Sequence, residues 1–314
     1  VISLRAYAKV NLGLEVLGRR EDGYHEIRTI LQTVDFHDRL TFETAEAGIR
    51  LTTSDPSLGT GNENLVFRAA SLLAEASGCR RGVSIHLEKR IPPGKGLGGG
   101  SSDAAATLLA LDRLWKTGAS PRELHRLAAS LGMDVPFFLY GGSALAVARG
   151  EEVYPLDLPA LSIVLILPDF SISTADAYGN LRLTKRETGL TLLHFAWSLP
   201  EVRVELRELV NELESAAGER FDSIQEYKRI LLDLGAMSSM MSGSGSSVVG
   251  IFHDEASARN AACSLGLRGI RAIATRTVGG REYRAERLSQ LALSGSIDPS
   301  RPSHDAPGEE AGEP

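Results

Sequence analysis

The chain has 314 residues, 43% hydrophobic and 24% charged, with a net charge of −6, an ordinary globular composition long enough for two domains with separate cores. The negative balance argues against a nucleic-acid or anionic-membrane partner. The two cysteines, Cys79 and Cys263, lack metal-ligand spacing and read as reduced, buried thiols, and no leader or long apolar run stands out, so a soluble cytoplasmic protein is expected.

The N-terminal segment alternates strictly. Leu4, Ala6, Ala8, Val10, Leu12, Leu14 and Val16 share one face, and Arg5, Tyr7, Lys9, Asn11 and Glu15 share the other. Lys9 and Asn11 therefore point the same way, roughly 7 Å apart along a strand. From pattern alone Lys9 is a solvated lysine. Asp22-Gly23 is a turn signal, and His25 on its own is an ordinary strand histidine. Strands are predicted over 26–43 and 49–52, a polar loop over 55–62, and a helix over 64–76 capped by Asn62 or Asn64.

A strand over 82–88, with Val83, Ile85 and Leu87 on one face, runs into the most distinctive stretch of the chain. Between Gly94 and Gly100 stand five glycines; Ser101 and Ser102 follow, and a helix rich in Ala and Leu is predicted over 103–115. A glycine loop feeding a helix N-terminus presents free N–H donors and the positive end of a dipole, which suits phosphate. Ser101 or Ser102 is the expected cap. Three readings compete. A plain irregular loop does not need so many glycines. Gly94, Gly96 and Gly99 satisfy a dinucleotide fingerprint, but Pro92 and Pro93 interrupt the junction, and a second helix over 121–131 stands where a strand is due. A nucleoside-triphosphate loop fits better, although no Gly-Lys-Ser/Thr closes it as in a Walker A motif.

Asp134, ahead of Val-Pro, reads as the cap of a short helix ended by Gly141-Gly142, and a strand over 143–149 follows. A boundary is placed near 155–159. Beyond it come a strand over 161–167, a helical stretch over 190–214, a helix over 221–234, strands over 236–241 and 248–252 flanking a Ser-Gly loop, a helix over 254–265 and a strand over 270–277. This order suggests a split βαβ, ferredoxin-like layer. From about residue 286 the composition turns to Ser, Pro, Gly and Glu and reads as a disordered acidic tail.

The run Pro93-Gly94-Lys95-Gly96-Leu97-Gly98-Gly99-Gly100-Ser101-Ser102-Asp103-Ala104-Ala105 resembles the second motif of the GHMP kinases. The Ser-Gly loop at 242–247 matches their third motif. Ala8-Lys9-Val10-Asn11-Leu12, the segment Asp22-Gly23-Tyr24-His25, and Leu131-Gly132-Met133-Asp134-Val135-Pro136 resemble, within that family, the members that phosphorylate a cytidine-diphosphate-linked polyol. Their acceptor is the 2-hydroxyl of a methylerythritol unit, in the non-mevalonate route to isoprenoid precursors.

The resemblance implies an α+β protein of the two-domain GHMP kinase fold. It has an N-terminal domain over 1–157, a ferredoxin-like C-terminal domain over 158–285 and a tail over 286–314. It implies ATP and Mg²⁺, with Lys9 and Asp134 catalytic and Asp134 as base. ATP would be bound by Asn64, Lys89 and the loop residues Pro93, Gly94, Lys95, Gly96, Leu97, Gly98, Gly99, Gly100, Ser101 and Ser102, with Ser102 also the candidate metal ligand. The cytidine-linked substrate would meet Asn11, Tyr24, His25, Asp134, Thr174, Tyr178, Gly243, Ser244 and Gly245. Tyr24 and Tyr178 are placed on the faces of the base and His25 at its edge. Lys95 inside the loop departs from the family pattern, and no acidic magnesium ligand stands out after Asp134. A kinase for another alcohol and a non-catalytic nucleotide sensor are the alternatives. A monomer or weak homodimer is expected.

Overall fold

A computed structural model describes residues 1–181 and 209–292. Strand β1, Ile2–Arg19, and strand β2, His25–Ala45, form one long antiparallel hairpin. β2 also pairs with β4 (Gly82–Glu88) at one end and β5 (Ser143–Val147) at the other; β3 (Ile49–Thr53) and β6 (Glu152–Leu156) complete a six-stranded sheet. Helices α1 (Leu65–Ser77), α2 (Gly99–Trp115), α3 (Pro121–Leu131) and α4 (Val135–Tyr140) accompany this sheet. Their side chains join Leu4, Ala6, Leu40, Phe42, Val83 and Ile85 in a common core.

A second sheet is antiparallel throughout, in the order β10 (Ala272–Arg276), β7 (Ser162–Ile166), β9 (Val248–Phe252), β8 (Ser238–Met241). A short helix, α5 (Thr174–Gly179), comes after β7. Helices α6 (Phe221–Asp233) and α7 (Glu255–Leu267) contribute Ile224, Leu231, Ala258 and Leu265 to the core on one face of the sheet. The sequence β7, α6, β8, β9, α7, β10 is the expected split βαβ layer.

β1 serves both layers. Leu4 and Ala6 enter the first core, whereas Ala8, Val10 and Leu12 pack with Ile163, Leu165 and Val249 of the second sheet. The pairing register shifts between Tyr7 and Ala8 and again between Asn11 and Leu14. Such irregularities bend a strand and re-aim its side chains. Burial on both faces also overturns the solvated lysine: Lys9 is only 4% exposed.

Several local expectations change. The helix after the glycine loop starts at Gly99, with Gly98 at its N-cap and no side-chain cap, so neither Ser101 nor Ser102 caps it. Asp134 makes no capping bond to α4 either. In place of a helix running to 214, residues 209–214 hold a bridge at Asn211 and the start of the 3-10 turn Glu212–Ala216; residues 190–208 of that expectation lie outside the described residues. Cys79 is half-buried and Cys263 exposed, rather than both buried.

Folded structure also continues past residue 285. Helix α8, Gly280–Ala292, docks on β1: the Tyr7 hydroxyl bonds Glu286, Arg5 pairs with Glu286 at 3.0 Å, and the Tyr283 hydroxyl donates to the Phe138 carbonyl of α4 at 2.6 Å. Composition hid this because the helix is mostly polar, and its anchors are Tyr283 and Glu286. Among the described residues no helix is long and apolar enough to cross a membrane.

Candidate active site

The glycine loop, β1 from Lys9 to Arg19, α5 and the β8–β9 hairpin loop surround a cavity of about 1070 Å³. One end is built by Pro93, Gly94, Lys95, Gly96, Leu97, Gly98, Gly99, Gly100 and Ser101. The uncapped start of α2 leaves first-turn N–H groups as donors there. Two glycines are dictated by close approach. A Cβ on Gly96 would sit 2.1 Å from the Ser242 carbonyl, and one on Gly98 would meet Lys9 and Phe138 at 3.0 Å; both residues have positive φ. The hairpin loop is tied to the glycine loop: Ser242 Oγ donates to the Gly96 carbonyl at 3.0 Å, and Ser247 N donates to the Lys95 carbonyl at 3.1 Å.

Lys95, the departure from the family pattern, donates from Nζ to the Phe170 carbonyl at 2.6 Å, linking the loop to the segment after β7. Burial lowers its pKa, and Arg271 adds to the effect against the opposing pull of Asp169.

At the centre, Lys9 Nζ stands 3.4 Å from Asp134 Oδ2 and donates to Asn11 Oδ1 at 2.7 Å. Asn11 in turn donates to Thr29 Oγ1 at 2.8 Å, and Thr29 to the Gly13 carbonyl at 2.6 Å. Lys9 is further held by its own N–H, bonded to the Leu97 carbonyl at 2.9 Å. The carboxylate of Asp134 is therefore spent on Lys9 rather than on a helix cap, and its side chain remains 35% exposed to the cavity. Thr29 is a site residue that sequence reasoning missed. Its alternating position on β2 was visible, but the bulges in β1 that bring it beneath Asn11 were not.

At the far end, His25 lies on Tyr178, ring centroids 4.9 Å apart and 25° from parallel. Tyr24 is half exposed beneath the Arg149 guanidinium, which is 5.1 Å from its ring centroid. Burial, with the nearby Asp134 carboxylate adding to it, pushes the Tyr178 phenol up to about 12. Burial, reinforced by the Arg19 cation, lowers the His25 pKa. Thr174 shares a hydroxyl contact of 2.9 Å with Ser244, and Gly243, Ser244 and Gly245 line the wall between the two ends. Arg19 and Arg149, which also line this end, were not singled out from the sequence; nothing local distinguishes them from surface arginines.

Three expected site residues stand outside the cavity wall. Asn64 caps α1, accepting from Val66 N at 2.9 Å and donating to the Gly59 carbonyl at 2.8 Å, while its neighbour Leu65 reaches the cavity. Lys89 is buried behind the loop in ion pairs with Asp38 and Asp103. Ser102 is fully buried, and its hydroxyl has no hydrogen-bond partner. Among the described residues no group of three or more His, Cys, Asp or Glu could hold a metal ion, and Asp134 is the one carboxylate lining the cavity.

Residues 64–142 match the GHMP kinases N terminal domain and residues 198–270 the GHMP kinases C terminal domain. The chain is 42% identical over 285 residues to the 4-diphosphocytidyl-2-C-methyl-D-erythritol kinase of Pelotomaculum thermopropionicum, covering 90% of this chain and 99% of that one. It is 44% identical over 279 residues to the same enzyme of Syntrophotalea carbinolica, covering 88% and 99%. A crystal structure of a 4-(cytidine 5'-diphospho)-2C-methyl-D-erythritol kinase superposes with a TM-score of 0.78 at 41% identity, covering 88% of this chain and all of that one.

Proposed function

Because the chain belongs to the GHMP kinases, and within them to the 4-diphosphocytidyl-2-C-methyl-D-erythritol kinases, we propose a division of labour among its residues in that reaction. The enzyme transfers the γ-phosphoryl group of ATP to the 2-hydroxyl of 4-diphosphocytidyl-2-C-methyl-D-erythritol, in the non-mevalonate route to isoprenoid precursors. Phosphoryl transfer asks the protein for positioning and charge stabilisation more than for covalent chemistry.

The observation that carries the assignment is the Lys9–Asp134 pair, 3.4 Å apart, between the phosphate loop and the His25–Tyr178 stack. In the proposed step the 2-hydroxyl oxygen attacks the γ-phosphorus, ADP leaves, and the hydroxyl proton passes to the Asp134 carboxylate. The Lys9 ammonium, fixed by Asn11, stabilises the charge developing on the attacking and transferred oxygens. Loop and first-turn N–H groups hold the β- and γ-phosphates. A magnesium ion bound with the triphosphate would find the Ser101 hydroxyl on the cavity wall as an oxygen donor and would neutralise phosphate charge.

The cytosine is placed at the aromatic end. The base takes the position of His25 on the Tyr178 ring, with Tyr24 on its other face and the imidazole at its edge. The negative charge and free cysteines fit a cytoplasmic setting.

The test is ATP consumption by the purified protein across a panel of alcohols. Turnover with the cytidine-linked polyol is expected. Turnover only with homoserine or mevalonate would remove the reading, and ATP binding without turnover of any alcohol would favour a sensor.

A further inference from the structure

Lys89 leaves β4 just before the phosphate loop, and its ammonium lies behind the loop instead of in the cavity. It bonds Asp38 Oδ2 at 2.5 Å on one side and Asp103 Oδ2 at 2.8 Å on the other. Asp38 comes from the interior of β2 and is fully buried. Its second oxygen accepts the backbone N–H groups of Arg90 and Ile91 at 2.5 and 2.8 Å. Asp103 stands at the opposite end of the loop, in the second turn of α2, with its other oxygen unpartnered. One carboxylate thus fixes the residues entering the loop, the other fixes the helix leaving it, and the ammonium joins them. The loop closes directly over this group: a Cβ on Gly99 would lie 3.0 Å from Lys89 Nζ.

Burying two acidic side chains around one ammonium is an expensive way to fill space, with burial and the neighbouring Asp38 pushing Asp103 up to about 8, and well-packed apolar residues often do as well or better for stability. What charge-assisted bonds add is short, directional geometry. We infer that the Asp38–Lys89–Asp103 bridge is the positioning device of the phosphate loop, setting the distance between its entry at residues 89–91 and the first turn of α2, and through that its grip on ATP. The inference rests on the proposed kinase function. None of the three side chains touches the cavity, and none approaches His25 or Tyr178, so the bridge governs the nucleotide end alone.

The test uses the full chain with Lys89→Met, which breaks the bridge, and Asp103→Asn, which keeps the shape and an acceptor but removes the ionisable carboxyl, whose pKa burial pushes up to about 8. ATP affinity is measured by calorimetry, KM for ATP and for the cytidine-linked substrate by steady-state kinetics, and folding by thermal melts. Lys89→Met should weaken ATP by roughly 10- to 100-fold, the scale of a loop misplaced by about 1 Å, with Asp103→Asn in between and the cytidine-substrate KM unmoved. Both KM values rising together, or ATP affinity unchanged in folded variants, would overturn the inference and leave the bridge purely structural. If Lys89→Met does not fold, Asp103→Asn decides by the same comparison. Calorimetry with ATP needs no acceptor, so failure of the wild type on the cytidine substrate would fall on the functional reading and not on the bridge.

Discussion

His25 and Tyr178 meet face to face although they come from a hairpin of the first sheet and a short helix beyond β7. In the proposed function the cytosine replaces the imidazole on the Tyr178 face, so Tyr178 supplies the stacking surface. Base–aromatic stacking is worth about 1–3 kcal/mol by alanine substitution, so Tyr178→Ala should raise KM for the cytidine substrate roughly 5- to 150-fold. KM for ATP should not move. The opposite pattern would mean that the two ends of the site have been exchanged.

His25 should make substrate affinity sensitive to acid. Burial and Arg19 hold its pKa below the ordinary 6.5, so the imidazole is neutral at physiological pH and keeps one acceptor nitrogen. Cytosine offers an N4 amino donor, and imidazolium cannot accept from it. KM for the cytidine substrate should be flat above pH 6.5 and rise below it, and the preference for cytidine over uridine analogues should narrow over the same range. In His25→Gln the acid limb should disappear. An unchanged acid limb in that variant would assign it to another group.

Asp134→Asn should bind ATP and the cytidine substrate yet lose turnover by about 10²- to 10⁴-fold, the usual range for a general base. Rapid-quench kinetics beside equilibrium binding separates the two effects. A folded variant with wild-type kcat would reduce Asp134 to a partner of Lys9.

Gly96→Ala tests the junction of the two glycine loops. Its Cβ would press on the Ser242 carbonyl from a left-handed backbone, so a destabilisation of about 1–3 kcal/mol is expected, with weaker ATP binding. Denaturant unfolding measures the first and calorimetry the second. Wild-type stability would show that the loops part easily.

Two truncations should separate the role of helix α8 from that of the last eighteen residues. Residues 297–314 contain too little apolar side chain to offset their own ordering, and removing them should leave activity and Tm unchanged. Ending the chain at residue 279 removes Tyr283 and Glu286 and should lower both. Thermal melts giving equal Tm values for the two truncations would contradict this.

Much of the site was legible because its signals are local. The glycine run, the alternation of β1 and the Leu-Gly-Met-Asp-Val-Pro segment each lie within a few residues. What was not legible depends on distant partners. Asp134 has the sequence context of a helix cap, and its use was decided by Lys9 arriving from β1. Lys89 was expected beside a nucleotide, but Asp38 and Asp103 draw its ammonium behind the loop. Helix α8 carries few apolar residues, so periodicity gave no sign of the anchors supplied by Tyr283 and Glu286.

The docking of α8 on β1 bears on how the enzyme is made. Tyr7 and Glu286, bonded in the finished protein, are 279 residues apart in sequence. Chains emerge from the ribosome N-terminus first, at about 5–20 residues per second, so the strand that carries Lys9 is synthesised well before the helix that covers its outer edge. Until that helix arrives, Tyr7 lacks its tyrosine neighbour at 5.7 Å, and α4, which follows Asp134, lacks the bond from Tyr283. Both contacts fall on elements that carry or adjoin Lys9 and Asp134, so this support around that pair is in place only after α8 has been synthesised.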